Sequence, residues 1–207
     1  MKAITEHTGR AVVLRRSNVD TDQIIPAEYC KRLTKSGYAD ALFAGWRADP
    51  LFVLNQPANA GASVLIAQHN FGTGSSREHA VWALRDWGFV SVVATSFGDI
   101  FHRNAFKNGL LAVELPASAV DWLADAIERD PGLPVTVNLR RCEIGAGGLR
   151  YPFTVDARAR ELLLGGMDEI AVTLERDASI RTYERTRARW LPSIRPSVPS
   201  MVGGAGS

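Results

Sequence analysis

Asn70-Phe71-Gly72-Thr73-Gly74-Ser75-Ser76-Arg77-Glu78-His79-Ala80 follows the apolar run Ser63-Val64-Leu65-Ile66-Ala67-Gln68 and precedes a helical pattern. The run reads as a buried strand. Two glycines allow a tight turn and close backbone approach. Ser75, or Ser76 beside it, is placed to cap the helix, and Glu78 stands three residues after Ser75 as a capping box requires. A cap needs neither Arg77 nor a second serine. Two hydroxyls and a guanidinium therefore gather where helix N–H groups and the helix dipole already favour an anion.

Outward from this strand–loop–helix unit the alternation continues. Ala80, Ala83, Leu84 and Trp87 form one stripe of a helix over 76–87, ended by Gly88. A strand at 90–94, a helix at 99–106, a strand at 110–115 and a helix at 118–129 follow, and Ala11-Val12-Val13-Leu14 is a short strand before them. Such β-α-β-α-β order predicts a parallel sheet with right-handed crossovers. Beyond Pro131 the periodicity changes. Segments 135–139, 141–144 and 151–155 alternate as exposed antiparallel strands do, with Gly145-Ala146-Gly147-Gly148 as a hairpin turn. Helical patterns at 156–164 and 167–189 close the fold. Residues 27–62 are irregular, and their aromatics Tyr29, Tyr38, Phe43, Trp46 and Phe52 read mainly as packing residues. The fold class is α/β, a largely parallel sheet with an added antiparallel layer. Residues 1–190 form the folded domain, and 191–207, rich in Pro, Ser and Gly, form a flexible tail.

Composition excludes several functions. At 207 residues and 46% hydrophobic content the chain can bury a sizeable core. A net charge of +2 without a Lys/Arg block argues against a nucleic-acid surface. No apolar stretch approaches the roughly 18 residues of a membrane span, and Met1–His7 lacks the apolar core of a signal peptide. Only Cys30 and Cys142 are present, which fits a reducing cytoplasm and rules out an iron–sulfur cluster held by this chain alone. His7, His69, His79 and His102 show no zinc spacing, so no metal site is expected.

Ser75, Ser76 and Arg77 together suit a small di- or tricarboxylate, or a phosphate. Nucleotide loops compete poorly: Gly72-Thr73-Gly74 opens like G-x-G-x-x-G, but Arg77 holds the last glycine position, and no Gly-Lys-Ser/Thr ending follows. Neither serine lies in G-x-S-x-G. A serine that accepts a proton from carbon must be alkoxide-like, which requires positive charge close by. Arg77 and the helix dipole supply part of it. The sequence reads as half an active site.

Asn18-Val19-Asp20-Thr21-Asp22-Gln23-Ile24-Ile25-Pro26, Gly72–Ala80, Ser96-Phe97-Gly98-Asp99-Ile100-Phe101 and Asn108-Gly109-Leu110-Leu111 resemble, in order and spacing, the small subunits of 3-isopropylmalate dehydratase, which match the swivelling fourth domain of aconitase. The likeness runs from about residue 4 to about residue 190. It implies a three-layer β/β/α swivelling domain and a hydro-lyase of leucine biosynthesis, active only with a large subunit. That partner carries a [4Fe–4S] cluster, while this chain binds no cofactor. The substrate it implies is a 2-hydroxy dicarboxylate, isomerised between 2- and 3-isopropylmalate through the dehydrated alkene.

By the same resemblance Ser75 is the base that removes and returns the carbon-bound proton, Ser76 and Arg77 hold substrate carboxylate, and Asp22 is an acidic partner behind them. The loop after Pro26 selects the substrate. If 29–33 form one helical turn, Tyr29 and Leu33 share a face toward the substrate, while Lys31 and Arg32 face solvent or the large subunit. Cys30 departs from the aromatic–Leu pair usual in leucine-pathway relatives. Hydro-lyases acting on citramalate or homoaconitate share the Ser75–Arg77 site and stand as alternatives, as does, from another class, a stand-alone carboxylate-binding regulator.

Overall fold

The computed structural model describes residues 1–188 and 190–192. Seven strands form one sheet: β1 (Glu6–Val13), β2 (Val64–Ile66), β3 (Ser91–Ala94), β4 (Leu111–Glu114), β5 (Pro134–Asn138), β6 (Glu143–Ala146) and β7 (Leu149–Pro152). Helices are α1 (Thr21–Ile24), α2 (Ala44–Arg47), α3 (Glu78–Trp87), α4 (Asp99–Lys107), α5 (Ala117–Arg129), α6 (Ala157–Gly165), α7 (Glu169–Leu174) and α8 (Asp177–Thr186). The spatial order is β4-β3-β2-β1-β5-β6-β7. The first four strands are parallel and the last three join them antiparallel.

β1 is the junction of the two kinds of pairing. Its first half, Glu6 to Arg10, runs antiparallel to β5, and its second half, Ala11 to Val13, runs parallel to β2. Only the second half is fully buried, so only it carries an apolar run. The first half alternates exposed and half-buried residues, which is why the strand expected from Ala11 begins at Glu6. The central strands β2 and β3 are buried at every position, β2 as Val-Leu-Ile and β3 as Val92, Val93 and Ala94 after a buried Ser91. α3, α4 and α5 bury Ala, Val, Leu and Phe side chains in a single core.

The irregular stretch 27–62 is a chain of short 3-10 turns around α2, and Tyr38, Phe43 and Phe52 are buried in it. Phe43 stacks on Trp46 at 5.2 Å and meets Phe52 edge-on at 5.9 Å, so these aromatics do serve packing. The helix expected over 167–189 is two helices. Arg176 N–H bonds to Thr173 C=O, an i→i−3 closure that ends α7, and α8 restarts at Asp177 with an ion pair to Arg181 at 2.6 Å. By compactness the chain divides at Ile170, and the unit from Ala171 onward contains α8. Residues 193–207, most of the expected tail, lie outside the described residues.

Candidate active site

Three loops leave the carboxyl ends of β1, β2 and β3, which lie side by side in the sheet. In open parallel sheets this edge is where ligands bind. Backbone bonds tie the three loops together. Asn18 N–H donates to His69 C=O at 2.8 Å, Gly72 N–H to Val19 C=O at 2.7 Å, and Thr21 N–H to Thr73 C=O at 3.0 Å. On the other side Phe71 N–H donates to Ser96 C=O at 3.0 Å and Gly98 N–H to Phe71 C=O at 2.9 Å. Asn70 N–H donates to Ser96 Oγ, and Ser96 Oγ lies 2.9 Å from His69 Nδ1. The 18–22, 70–77 and 96–98 segments thus become one surface.

Two glycines make this packing possible. Gly72 has φ +73°, and a Cβ there would lie 2.2 Å from Phe101 Cγ. A Cβ on Gly98 would lie 2.6 Å from Gly72 O. Below them Phe71 is fully buried, edge-on to Phe101 at 5.4 Å and to Phe97 at 6.3 Å. The loop is fixed from beneath by aromatics and from both sides by backbone.

The capping box lies elsewhere than expected. Arg77 is the N-cap residue of α3 and makes no side-chain cap, so neither Ser75 nor Ser76 caps the helix. Glu78 instead accepts from Asn108 Nδ2 at 2.8 Å, and Asn108 Oδ1 accepts from Trp82 Nε1 at 2.9 Å, which clamps α3 to the end of α4. Asp20 and Gln23 form the capping box, on α1: Gln23 N–H donates to Asp20 Oδ1 at 2.7 Å, and Asp20 N–H donates to Gln23 Oε1 at 3.0 Å. Both serines are exposed and uncommitted to capping, and the first-turn N–H groups of α3 have no side-chain cap.

The α1 capping box positions the next two residues. Asp22, in the first turn of α1, forms an ion pair with Arg77 Nη1. The Arg77 side chain is 22% exposed and that of Asp22 56%. The structure thus joins Asp22 to Arg77 directly. Thr21, a residue the sequence reading passed over, donates its hydroxyl to Ser75 C=O at 2.9 Å and lies 3.4 Å from Ser75 Oγ. Its only sequence signal was its place between two aspartates.

Tyr29 and Leu33 are not on one turn. A 3-10 helix covers Ala27–Lys31, and Arg32 beyond it is extended, so Leu33 leaves the turn and is fully exposed. Tyr29 is half-buried with the Arg32 guanidinium 5.0 Å above its ring. Arg32 also stacks on Tyr38 at 5.5 Å and holds Asp40 with two bonds of 2.7 and 2.6 Å. These bonds keep the Asp40 carboxyl below its ordinary range and raise the Arg32 guanidinium. Arg32 therefore does not simply face solvent or a partner. It braces its own loop. Among the described residues no hydrogen bond or ring contact joins Tyr29 or Leu33 to the 73–77 loop.

The aconitase C-terminal domain family matches residues 1–118. A 3-isopropylmalate dehydratase small subunit from Acidothermus cellulolyticus is 54% identical over 197 residues, 95% of this chain and 100% of that one. The chain belongs to the 3-isopropylmalate dehydratase small-subunit family. A second member, from Streptomyces coelicolor, is 53% identical over 95% of this chain and 98% of its own. The crystal structure of 3-isopropylmalate dehydratase (LeuD) from Methanocaldococcus jannaschii shares the fold, with a TM-score of 0.65 at 27% identity, covering 87% of this chain and 99% of that one. The family's α/β fold is the mixed seven-stranded sheet described above. Residues 72–80 and 18–26 are the segments that meet at the strand ends.

Proposed function

We propose that this chain is the small subunit of a cytoplasmic 3-isopropylmalate dehydratase, a hydro-lyase that interconverts 2- and 3-isopropylmalate through 2-isopropylmaleate in leucine biosynthesis. The observation that carries the reading is the Arg77–Asp22 ion pair beside the exposed Ser75 and Ser76 at the carboxyl ends of β1 and β2.

An iron–sulfur cluster does not fit the residues of this chain. Cys30 lies in a 3-10 turn and Cys142 between β5 and β6, and among the described residues no three His, Cys, Asp or Glu side chains gather as ligands. In this reading the [4Fe–4S] cluster belongs to the large subunit, and no step on this chain runs through it. Ser75 Oγ takes the carbon-bound proton and returns it on the other side of the alkene. Arg77 engages Asp22 through one nitrogen, which leaves the rest of the fork free for a bidentate substrate carboxylate. Ser76 Oγ donates to the same group. Asp22 keeps the guanidinium aimed while the site is empty. Tyr29 and Leu33 border the substrate's alkyl group once the large subunit closes on the 27–33 loop.

Arg32 favours an alkyl substrate over a tricarboxylate. A third carboxylate needs a free cation, and Arg32 is already committed to Asp40 and two aromatic rings. The assembled two-subunit enzyme should therefore prefer isopropylmalate over citramalate by the roughly 10–200-fold that a small alkyl difference supports. It should turn over homoaconitate poorly. A higher kcat/KM for homoaconitate would overturn the assignment.

A further inference from the structure

Among the described residues two polar side chains are fully buried, Thr21 and Ser91. Ser91 lies inside the sheet and donates to Leu111 C=O at 2.8 Å, an ordinary internal bond. Thr21, at 2% exposure, lies instead beneath the active-site loop. Its N–H holds Thr73 C=O and its hydroxyl holds Ser75 C=O, so one residue pins both sides of Gly74. Gly74 itself, at φ +88°, would bring a Cβ within 3.9 Å of Thr21 Oγ and 3.4 Å of Asp20 Cβ, so α1 lies directly under the turn.

The hydroxyl has one proton and two oxygens of the same residue within reach, Ser75 O at 2.9 Å and Ser75 Oγ at 3.4 Å. Rotation about the Thr21 Cβ–Oγ bond moves the proton from one to the other with no heavy atom displaced. We propose that Thr21 is a positioning residue for Ser75, holding its carbonyl when Ser75 is protonated and turning the same O–H onto Ser75 Oγ when that oxygen is anionic. This rests on the reading of Ser75 as the base. When Ser75 takes the substrate proton, the Thr21 proton returns to the carbonyl, and the Ser75 O–H can donate to Thr21 Oγ. No covalent bond of Thr21 forms or breaks. A buried donor to an anion is stronger than one to a neutral carbonyl, so the switch stabilises the reactive form selectively.

The test uses the assembled two-subunit enzyme with Thr21→Val, Thr21→Ser and Ser75→Ala, normalised to folded complex. Thr21→Val keeps the shape and removes the donor. It should lower kcat by about ten- to a hundredfold with KM within about threefold. The acid limb of its pH profile should move to higher pH, because the alkoxide loses a donor. Thr21→Ser should restore both, and Thr21→Val should cost nothing further on a Ser75→Ala background. If Thr21→Val does not assemble, Thr21→Cys, a weak donor of similar shape, must show the same loss. Wild-type kcat and an unmoved pH profile in the Val or Cys variant, beside an inactive Ser75→Ala, overturn the role of Thr21 alone. Normal turnover in Ser75→Ala overturns the reading of Ser75 itself.

Discussion

Residues 70–77 and residues 27–36, which the proposed function brings to one site, are held in different ways. The first segment is tied by backbone bonds to the loops that follow β1 and β3, with Phe71 buried beneath it. The second is held by its own 3-10 turn, by Arg32 reaching Gly37 and Asp40, and by the buried Tyr38, whose hydroxyl donates to Arg32 C=O at 3.1 Å and to Thr34 C=O at 2.8 Å. Proton transfer requires atoms placed within a few tenths of an ångström, and a loop bonded on both sides supplies that. Contact with an alkyl group, the role proposed for Tyr29 and Leu33, tolerates displacement, so a loop with side-chain ties and an exposed Leu33 suffices there.

The largest difference between the two loops is expected at Gly72. Gly72→Ala forces a methyl group into Phe101 at a positive φ and should cost about 2–4 kcal/mol, whereas Leu33→Ala should stay within about 0.5 kcal/mol of wild type. Denaturant unfolding of both variants measures the contrast, and equal midpoints would mean that the two loops are held alike. The two arginines should differ next. Arg77→Lys keeps the charge and loses the fork, so KM should rise by roughly thirtyfold, about 2 kcal/mol. Arg32→Ala should raise KM only a few-fold with kcat retained, because it loosens a loop that touches no reacting atom.

The smallest effect concerns acid. His102 stacks on Phe97 at 5.4 Å behind the pinned loop, and burial lowers its imidazole from the ordinary value of 6.5, against weaker opposing pulls from Glu114 and Asp99. The unfolded chain therefore takes up that proton more readily. The stabilisation is complete above about pH 6.5 and is lost as pH falls from there through the folded-state value. His102→Gln should flatten this slope in melts across that range. His7, lowered by burial and by Lys2, leaves a residual slope of the same sign.

Sequence alone carried the parallel core because its signals are local. β2 is an unbroken apolar run, β3 is one after its first residue, Ser91, and α3 carries its stripe between a glycine loop and Gly88. The N-terminal half of β1 was invisible because a strand pairing at the sheet's polar end has no apolar run to show. Glu78 was read as half of a capping box because Asn108, the partner it actually meets, lies 30 residues away. Asp22 and Arg77 were each singled out, yet their ion pair spans 55 residues and only the fold could join them. Leu33 was placed on a turn by spacing, but Arg32 leaves the helical region to reach Asp40, and the register ends there.

In the proposed function the pinned loop presents Ser75 as the proton-transfer base of a site completed by a partner. Ser75→Ala, assembled with the cluster-bearing large subunit, tests it through the rate of 2-isopropylmaleate formation and the affinity for 2-isopropylmalate. The expected result is a kcat lower by several orders of magnitude with affinity nearly unchanged, since Arg77 and Ser76 still hold the carboxylate. A folded, assembled Ser75→Ala enzyme with near-normal kcat would contradict it.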